Sequence, residues 1–185
     1  MSLQQFSADG NGNGERGACI ALIGVGANLA GPSGATPLET CQRAVSDIEA
    51  YTGLRLVGIS RWYASAPVPA SDQPDYVNAV VALAPSGDEA IGPHALLAAL
   101  MRLEAAHGRQ RSVANAARTL DLDIIGVGDV VLDEAELTLP HPRAHERGFV
   151  LYPLCDVAPD WVHPKLGRTA AQLLADLPAQ SIRPL

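Results

Sequence analysis

Thr119-Leu120-Asp121-Leu122-Asp123-Ile124-Ile125-Gly126-Val127 is the stretch on which the fold of this chain turns. Leu120, Leu122 and Ile124 alternate with Asp121 and Asp123, the two-residue period of a strand with one apolar and one acidic face. Upstream, Asp88 to His107 repeats Leu96, Leu100 and Leu103 on one side and stops at Gly108, as a helix does. Before it, Leu54 to Ala64 and Tyr76 to Ala84 read as two strands, joined by a loop through Pro67, Pro69 and Pro74. Thr36, Pro37 and Glu39 form a capping box, and Leu38, Cys41, Val45, Ile48 and Tyr51 recur at helical spacing as far as Gly53. The apolar run from Cys19 to Val25 is the first strand, and Gly24, Gly26 and Asn28 read as a tight loop that ends it.

The order strand, helix, strand, strand, helix, strand is a split βαβ pattern. It predicts an α+β, ferredoxin-like fold, with an antiparallel sheet and both helices packed on one face. Leu137 to Leu185 contains Pro140, Pro142, Pro153, Pro159 and Pro164 and is expected to wrap the sheet as a C-terminal extension with short helices. The polar, glycine-rich residues 1–17 read as a flexible tail and residues 18–185 as a single domain.

A net charge of -7 and a pI near 5.1 argue against a general nucleic-acid or anionic-membrane binder, which needs clustered positive charge. No apolar segment could serve as a signal peptide or membrane span. Cys19, Cys41 and Cys155 are far apart and lack zinc-ligand spacing, so neither a disulfide framework nor a zinc site is suggested and a reducing cytoplasm fits best. No protein partner is evident.

Asp121 and Asp123 leave the same face of their strand. Two like charges so placed repel unless a cation lies between them, and a hard divalent ion such as Mg²⁺ is the natural one. The alternative is a solvated polar face of an edge strand. Arg109, Arg111 and Arg118 precede the pair, and His141, Arg143 and Arg147 follow it. Guanidinium forks match phosphate oxygens, although such a stretch can also be a solvated charged loop. Carboxylates for metal beside arginines for phosphate is the combination phosphoryl transfer requires. The Gly24-Val25-Gly26 turn lacks the third glycine of a dinucleotide fingerprint and the Gly-Lys-Ser/Thr of a P-loop, and no nucleophile elbow is present.

Five segments occur in an order that resembles the 6-hydroxymethyl-7,8-dihydropterin pyrophosphokinase family. They are Gly26-Ala27-Asn28-Leu29, Gln73-Pro74-Asp75-Tyr76-Val77-Asn78, Gly108-Arg109-x-Arg111, Arg118-Thr119-Leu120-Asp121-Leu122-Asp123 and Pro140-His141-Pro142-Arg143-x-x-x-Arg147-x-Phe149. The resemblance implies ATP as co-substrate and two Mg²⁺ ions held by Asp121 and Asp123, with Arg109, Arg118, Asp121 and Asp123 the catalytic set. It implies polyphosphate contacts from Arg109, Arg118, His141 and Arg147, with Glu104 and Arg111 supporting the nucleotide pocket. The pterin would stack between Tyr76 and Phe149 and be read by Asn78 and the main chain of Ser65, Pro67 and Val68. Three departures from the family pattern stand out: Asn115-Ala116-Ala117 where an aromatic and Gly-Pro are usual, Ala27 for serine, and Pro69 for glycine. Two other readings are another phosphoryl- or nucleotidyl-transfer enzyme, and a ferredoxin-like pterin or nucleotide-binding module without turnover.

Overall fold

The computed structural model describes residues 20–87, 91–109 and 117–185; the tail expected over residues 1–17, Arg111 and the loop around Asn115 lie outside them. Strand β1 (Ala21–Ala27) runs through the middle of the sheet, antiparallel to β4 (Tyr76–Pro85) on one side and to β5 (Asp121–Val127) on the other. β2 (Leu54–Ile59) and β3 (Tyr63–Ser65) both pair with β4, and a short C-terminal strand, Ile182–Pro184, pairs with β3.

Helices α1 (Pro37–Thr52) and α2 (Pro93–Ala106) cover one face. Their Cys41, Val45, Ile48, Leu96, Leu100 and Leu103 pack on Ile23, Val25, Val81, Leu83, Leu122 and Ile124 of the sheet. Each of these fully buried aliphatic side chains contributes about 1.5–3 kcal/mol of burial free energy. The Thr36 hydroxyl accepts the Glu39 N–H while the Glu39 carboxylate accepts the Thr36 N–H, and Gly53 ends α1 in a left-handed conformation.

The opposite face carries a second core. Leu22, Val80, Ala82 and Ile125 meet Leu151 and Leu154 of α3 (Gly148–Val157) and Leu173 of α4 (Ala170–Ala175). Alternation along β5 supplies both cores, with Ile124 facing α1 and α2 and Ile125 facing α3, and the register shift between Leu22 and Ile23 returns Val127 to the first core. A small hairpin of Val162–His163 with Arg168–Thr169 flanks this layer, and another of Leu132–Asp133 with Thr138–Leu139 adds Leu132 and Leu139 to the first core.

Three element boundaries differ from the sequence reading. The strand expected over Leu54–Ala64 is broken at residues 60–62, where Ser60 binds Val80 twice: its N–H donates to the Val80 carbonyl and its hydroxyl accepts the Val80 N–H, both at 2.9 Å. The second helix begins at Pro93, with proline at its first position after the non-helical Ile91 and Gly92, and residues 88–90 of the expected helix lie outside the described ones. β5 begins at Asp121 rather than Thr119, since the Arg118 carbonyl instead accepts the N–H groups of Asn28 and Leu29. A tie between the layers joins Arg61 and the Tyr63 hydroxyl to the Asp156 carboxylate on α3. Among the described residues no helix is long and apolar enough to cross a membrane.

Candidate active site

The second core stops at Val80 and Ile125, and beyond it the same face of the sheet is bare. Here β1 presents Gly24 and Gly26, paired with Asp123 and Asp121 on β5, and Gly26 also faces Asn78 on β4. Gly24 therefore lies inside a strand instead of ending one, which corrects the turn reading. A side chain at either position would stand on this floor. Walls from the loop after β3, from Tyr76, and from Ala144, Arg147, Phe149 and Val150 enclose a cavity of about 380 Å³.

All six residues expected on the pterin side, Ser65, Pro67, Val68, Tyr76, Asn78 and Phe149, line this cavity. So do Arg118, Asp121, Asp123, His141 and Arg147. The Asn78 amide donates to the Ser65 hydroxyl at 3.0 Å and the Tyr76 carbonyl at 3.3 Å, which fixes its orientation over Gly26. Glu104 lies beneath β5, only 2% exposed. One of its oxygens accepts the Leu122 N–H at 2.8 Å and also the Arg109 guanidinium, so it holds the strand and the arginine from behind.

Asp121 accepts from both Arg109 and Arg118. Burial works to lower the Arg118 pKa, but the charge and hydrogen bond of Asp121 outweigh it and the net shift is upward. Asp123 is reached by solvent through the cavity while protein encloses its other sides; that enclosure first, and the Asp121 charge second, raise its pKa. Burial lowers the His141 pKa against the pull of Asp123, which favours the neutral ring. The Arg143 N–H donates to His141 Nδ1 at 3.2 Å, which leaves the proton of the neutral ring on Nε2. Arg147 stacks its guanidinium 5.4 Å from the Phe149 ring centre, and its buried Nε has no hydrogen-bond partner among the described residues. Buried donors are nearly always satisfied, so this one is open to an acceptor that enters the cavity.

A second cavity of about 260 Å³ opens on the far side of the carboxylates. Leu97, Ile124 and Leu137 give it apolar walls, Thr138 and Glu136 add polar ones, and it shares Asp123 and His141 with the first. The two cavities thus meet at one carboxylate and one imidazole.

The chain matches the model of the 7,8-dihydro-6-hydroxymethylpterin-pyrophosphokinase (HPPK) family over residues 22–159. It belongs to that family. Its sequence is 38% identical to the 2-amino-4-hydroxy-6-hydroxymethyldihydropteridine pyrophosphokinase of Synechocystis sp. over 89% of this chain and 80% of that one. It is 41% identical to the enzyme of the same name from Pseudomonas aeruginosa over 88% of this chain and 94% of the relative. The Schizosaccharomyces pombe folic acid synthesis protein fol1 is 33% identical over 89% of this chain, which spans only 21% of the yeast protein. Among solved structures, the wild-type Plasmodium falciparum HPPK-DHPS superposes with a TM-score of 0.61 at 12% identity, over 85% of this chain and 44% of that one, and shares the fold. The chain thus spans less than half the length of that HPPK-DHPS chain.

Asn28 is the residue whose part the sequence did not reveal. It is 2% exposed and faces protein rather than a ligand. Its Oδ1 accepts the Arg118 N–H at 2.8 Å, and its Nδ2 donates to Gln73 Oε1 at 3.1 Å and the Pro74 carbonyl at 3.3 Å. Gln73 Oε1 also accepts the Tyr76 hydroxyl at 3.1 Å. A single buried amide therefore joins the arginine side of the site to the aromatic side. The partners lie 45 to 90 residues away in sequence, beyond any local pattern.

Proposed function

We propose that this chain transfers a diphosphate group from ATP to the hydroxymethyl group of 6-hydroxymethyl-7,8-dihydropterin, yielding AMP and the pterin diphosphate in folate synthesis. The observation that carries the proposal is the pair of cavities meeting at Asp123 and His141, with arginines gathered on the same edge. Family membership supports it, since the bacterial relatives named above are pyrophosphokinases.

In this reading the first cavity takes the pterin, its ring between Tyr76 and Phe149 and its polar edge against Asn78 and the main chain of Ser65, Pro67 and Val68. The second takes the nucleoside, and the polyphosphate crosses between them over Asp121 and Asp123. Arg118, Arg147 and the Nε2–H of His141 supply donors to that track, Arg147 Nε being unpaired among the described residues, and Arg109 reaches it beside Asp121. Glu104 holds Arg109, and Arg111 completes the nucleotide contacts.

The donor set fits magnesium: two carboxylates on alternate strand positions, all oxygen, with Asp123 raised in pKa partly by the charge of its neighbour. Two Mg²⁺ ions held by Asp121 and Asp123 would neutralise and orient the phosphate oxygens. Asp121 now engages both arginines, so phosphate oxygens arriving with their cations would replace it as the arginines' partner. The chain's residues then align the reactants: the hydroxymethyl oxygen forms a bond to the β-phosphorus as the bond from that phosphorus to the oxygen bridging the α-phosphate breaks, and AMP departs.

The strand order β3-β4-β1-β5, with α1 and α2 on one face, supports a ferredoxin-like split βαβ unit with a C-terminal extension that supplies α3 and α4. We read residues 18–185 as one such domain and the cytoplasm as its compartment. Calorimetric titration tests the two-cavity reading. A non-transferable ATP analogue with magnesium should bind once, and the pterin should then bind once without displacing it; competition between the two ligands would contradict the proposal.

A further inference from the structure

Residues beyond 159 lie outside the stretch matched by the family model, yet the last of them pair with β3, whose Ser65 lines the cavity. The C-terminal strand, Ile182–Pro184, sets Ile182 opposite Ser65 and Pro184 opposite Tyr63 on β3. The Leu185 N–H closes the pairing by donating to the Trp62 carbonyl at 2.9 Å. Just ahead of that strand, the Gln180 amide reaches across to the segment that enters α3. Its Oε1 accepts the Gly148 N–H at 2.8 Å, and its Nε2 donates to the Glu146 carbonyl at 3.0 Å.

Those two backbone groups flank Arg147, and Gly148 directly precedes Phe149. The first N–H groups of a helix have no acceptor within it. Arg147 occupies the N-cap position of α3 without capping through its side chain. Gln180 supplies that acceptor from 32 residues away. The approach is close: a Cβ on Gly148 would lie 3.0 Å from Gln180 Oε1 and 3.3 Å from Ile182 Cγ1, so glycine is what admits the tail here.

We propose that Gln180 is a positioning residue for Phe149 and Arg147, its amide fixing the entry of α3 so that the aromatic ring and the guanidinium meet the cavity in a set orientation. The inference rests on the reading of Phe149 as one face of the pterin site. Without the amide, the turn Ala144–Glu146 and the first turn of α3 lose their two ties to the C-terminal strand. The loss falls mainly on the pterin, which has only two aromatic faces. ATP keeps Arg109, Arg118 and His141.

Equilibrium binding of 6-hydroxymethyl-7,8-dihydropterin, followed by its own fluorescence in the presence of a non-transferable ATP analogue and magnesium, is the test. Gln180→Ala and Gln180→Met should each weaken pterin binding about tenfold, because binding must then order the entry of α3 that the amide holds in advance. Binding of the ATP analogue should stay within about twofold of the parent value. Methionine keeps the length and volume but not the amide, so parent-like pterin binding by Gln180→Met would overturn the proposal in favour of packing. Equal losses for both ligands would also overturn it, as general loosening. Phe149→Ala separates the two levels. If it weakens pterin binding while the Gln180 variants do not, positioning by Gln180 fails alone; if it does not, the pterin site as read fails and the inference with it.

Discussion

Replacing Asn28 by alanine should cost more than its small volume suggests. The substitution strips the acceptor from the Arg118 N–H in a place where Asn28 is 2% exposed. An orphaned buried donor costs about 1–3 kcal/mol, and each of the two donated bonds, to Gln73 and to Pro74, is worth about 0.5–1.5 kcal/mol net. The sum centres on about 4 kcal/mol. With a urea slope of roughly 2–3 kcal/mol/M for a chain of this length, the unfolding midpoint should fall by about 1.5 M. The melting temperature should fall by about 10 °C, taking roughly 2–4 °C for each kcal/mol. Urea titration followed by circular dichroism measures the first, and steady-state kinetics should show the KM for both substrates rising, because the amide braces both sides of the site. A midpoint shift under about 0.3 M, with both KM values unchanged, would refute the clamp.

Asp123→Asn should raise the magnesium concentration for half-maximal turnover at least about a hundredfold, since even residues behind a metal ligand cost 10–100-fold. In the parent enzyme the same half-saturation should rise as pH falls: the Asp123 pKa is raised, so protons displace the cation in a window above the ordinary carboxylate value of about 3.9. A half-saturation that stays constant as pH falls through that window would count against Asp123 as a ligand. Gly26→Val should leave stability within about 1 kcal/mol, because its Cβ meets Asn78 Oδ1 at an ordinary 3.5 Å, but should weaken pterin binding at least about tenfold by standing on the cavity floor. Undiminished binding would mean the pterin lies elsewhere. Asp156→Ala should lower stability by about 1–3 kcal/mol at pH 7 by orphaning the Tyr63 hydroxyl, which is 3% exposed at the residue level. Partial burial pushes the Asp156 pKa up, but hydrogen bonds from Arg61 and Tyr63 outweigh it and hold the carboxyl below its ordinary value. That stabilisation is present above about pH 4 and fades as pH drops through the folded pKa, so the gap between parent and variant should shrink near pH 3; a gap constant with pH would contradict the assignment.

Elements whose signals are local could be read directly. The Thr36–Glu39 capping box and the spacing of Cys41, Val45 and Ile48 specify α1, and the alternation of Leu122 with Asp121 and Asp123 specifies β5 and its two faces. The pairing of acids with arginines also followed from composition, because a chain of net charge -7 has few reasons to gather guanidinium groups beside two aspartates. The turn read at Gly24 failed because a glycine in a strand and a glycine ending one look alike in sequence; only the bare floor opposite α3 shows why it has no side chain. The break at residues 60–62 depends on Ser60 meeting Val80, a contact 20 residues away. Asn28 and Gln180 act across 32 to 90 residues, through single amides that belong to no periodic pattern.

The most direct test of the account is the identity of the nucleotide product. Purified protein with ATP and magnesium should release AMP, and form the pterin diphosphate, only when 6-hydroxymethyl-7,8-dihydropterin is present, as read by phosphorus NMR. ADP as the product, or no pterin-dependent turnover, would contradict the central claim.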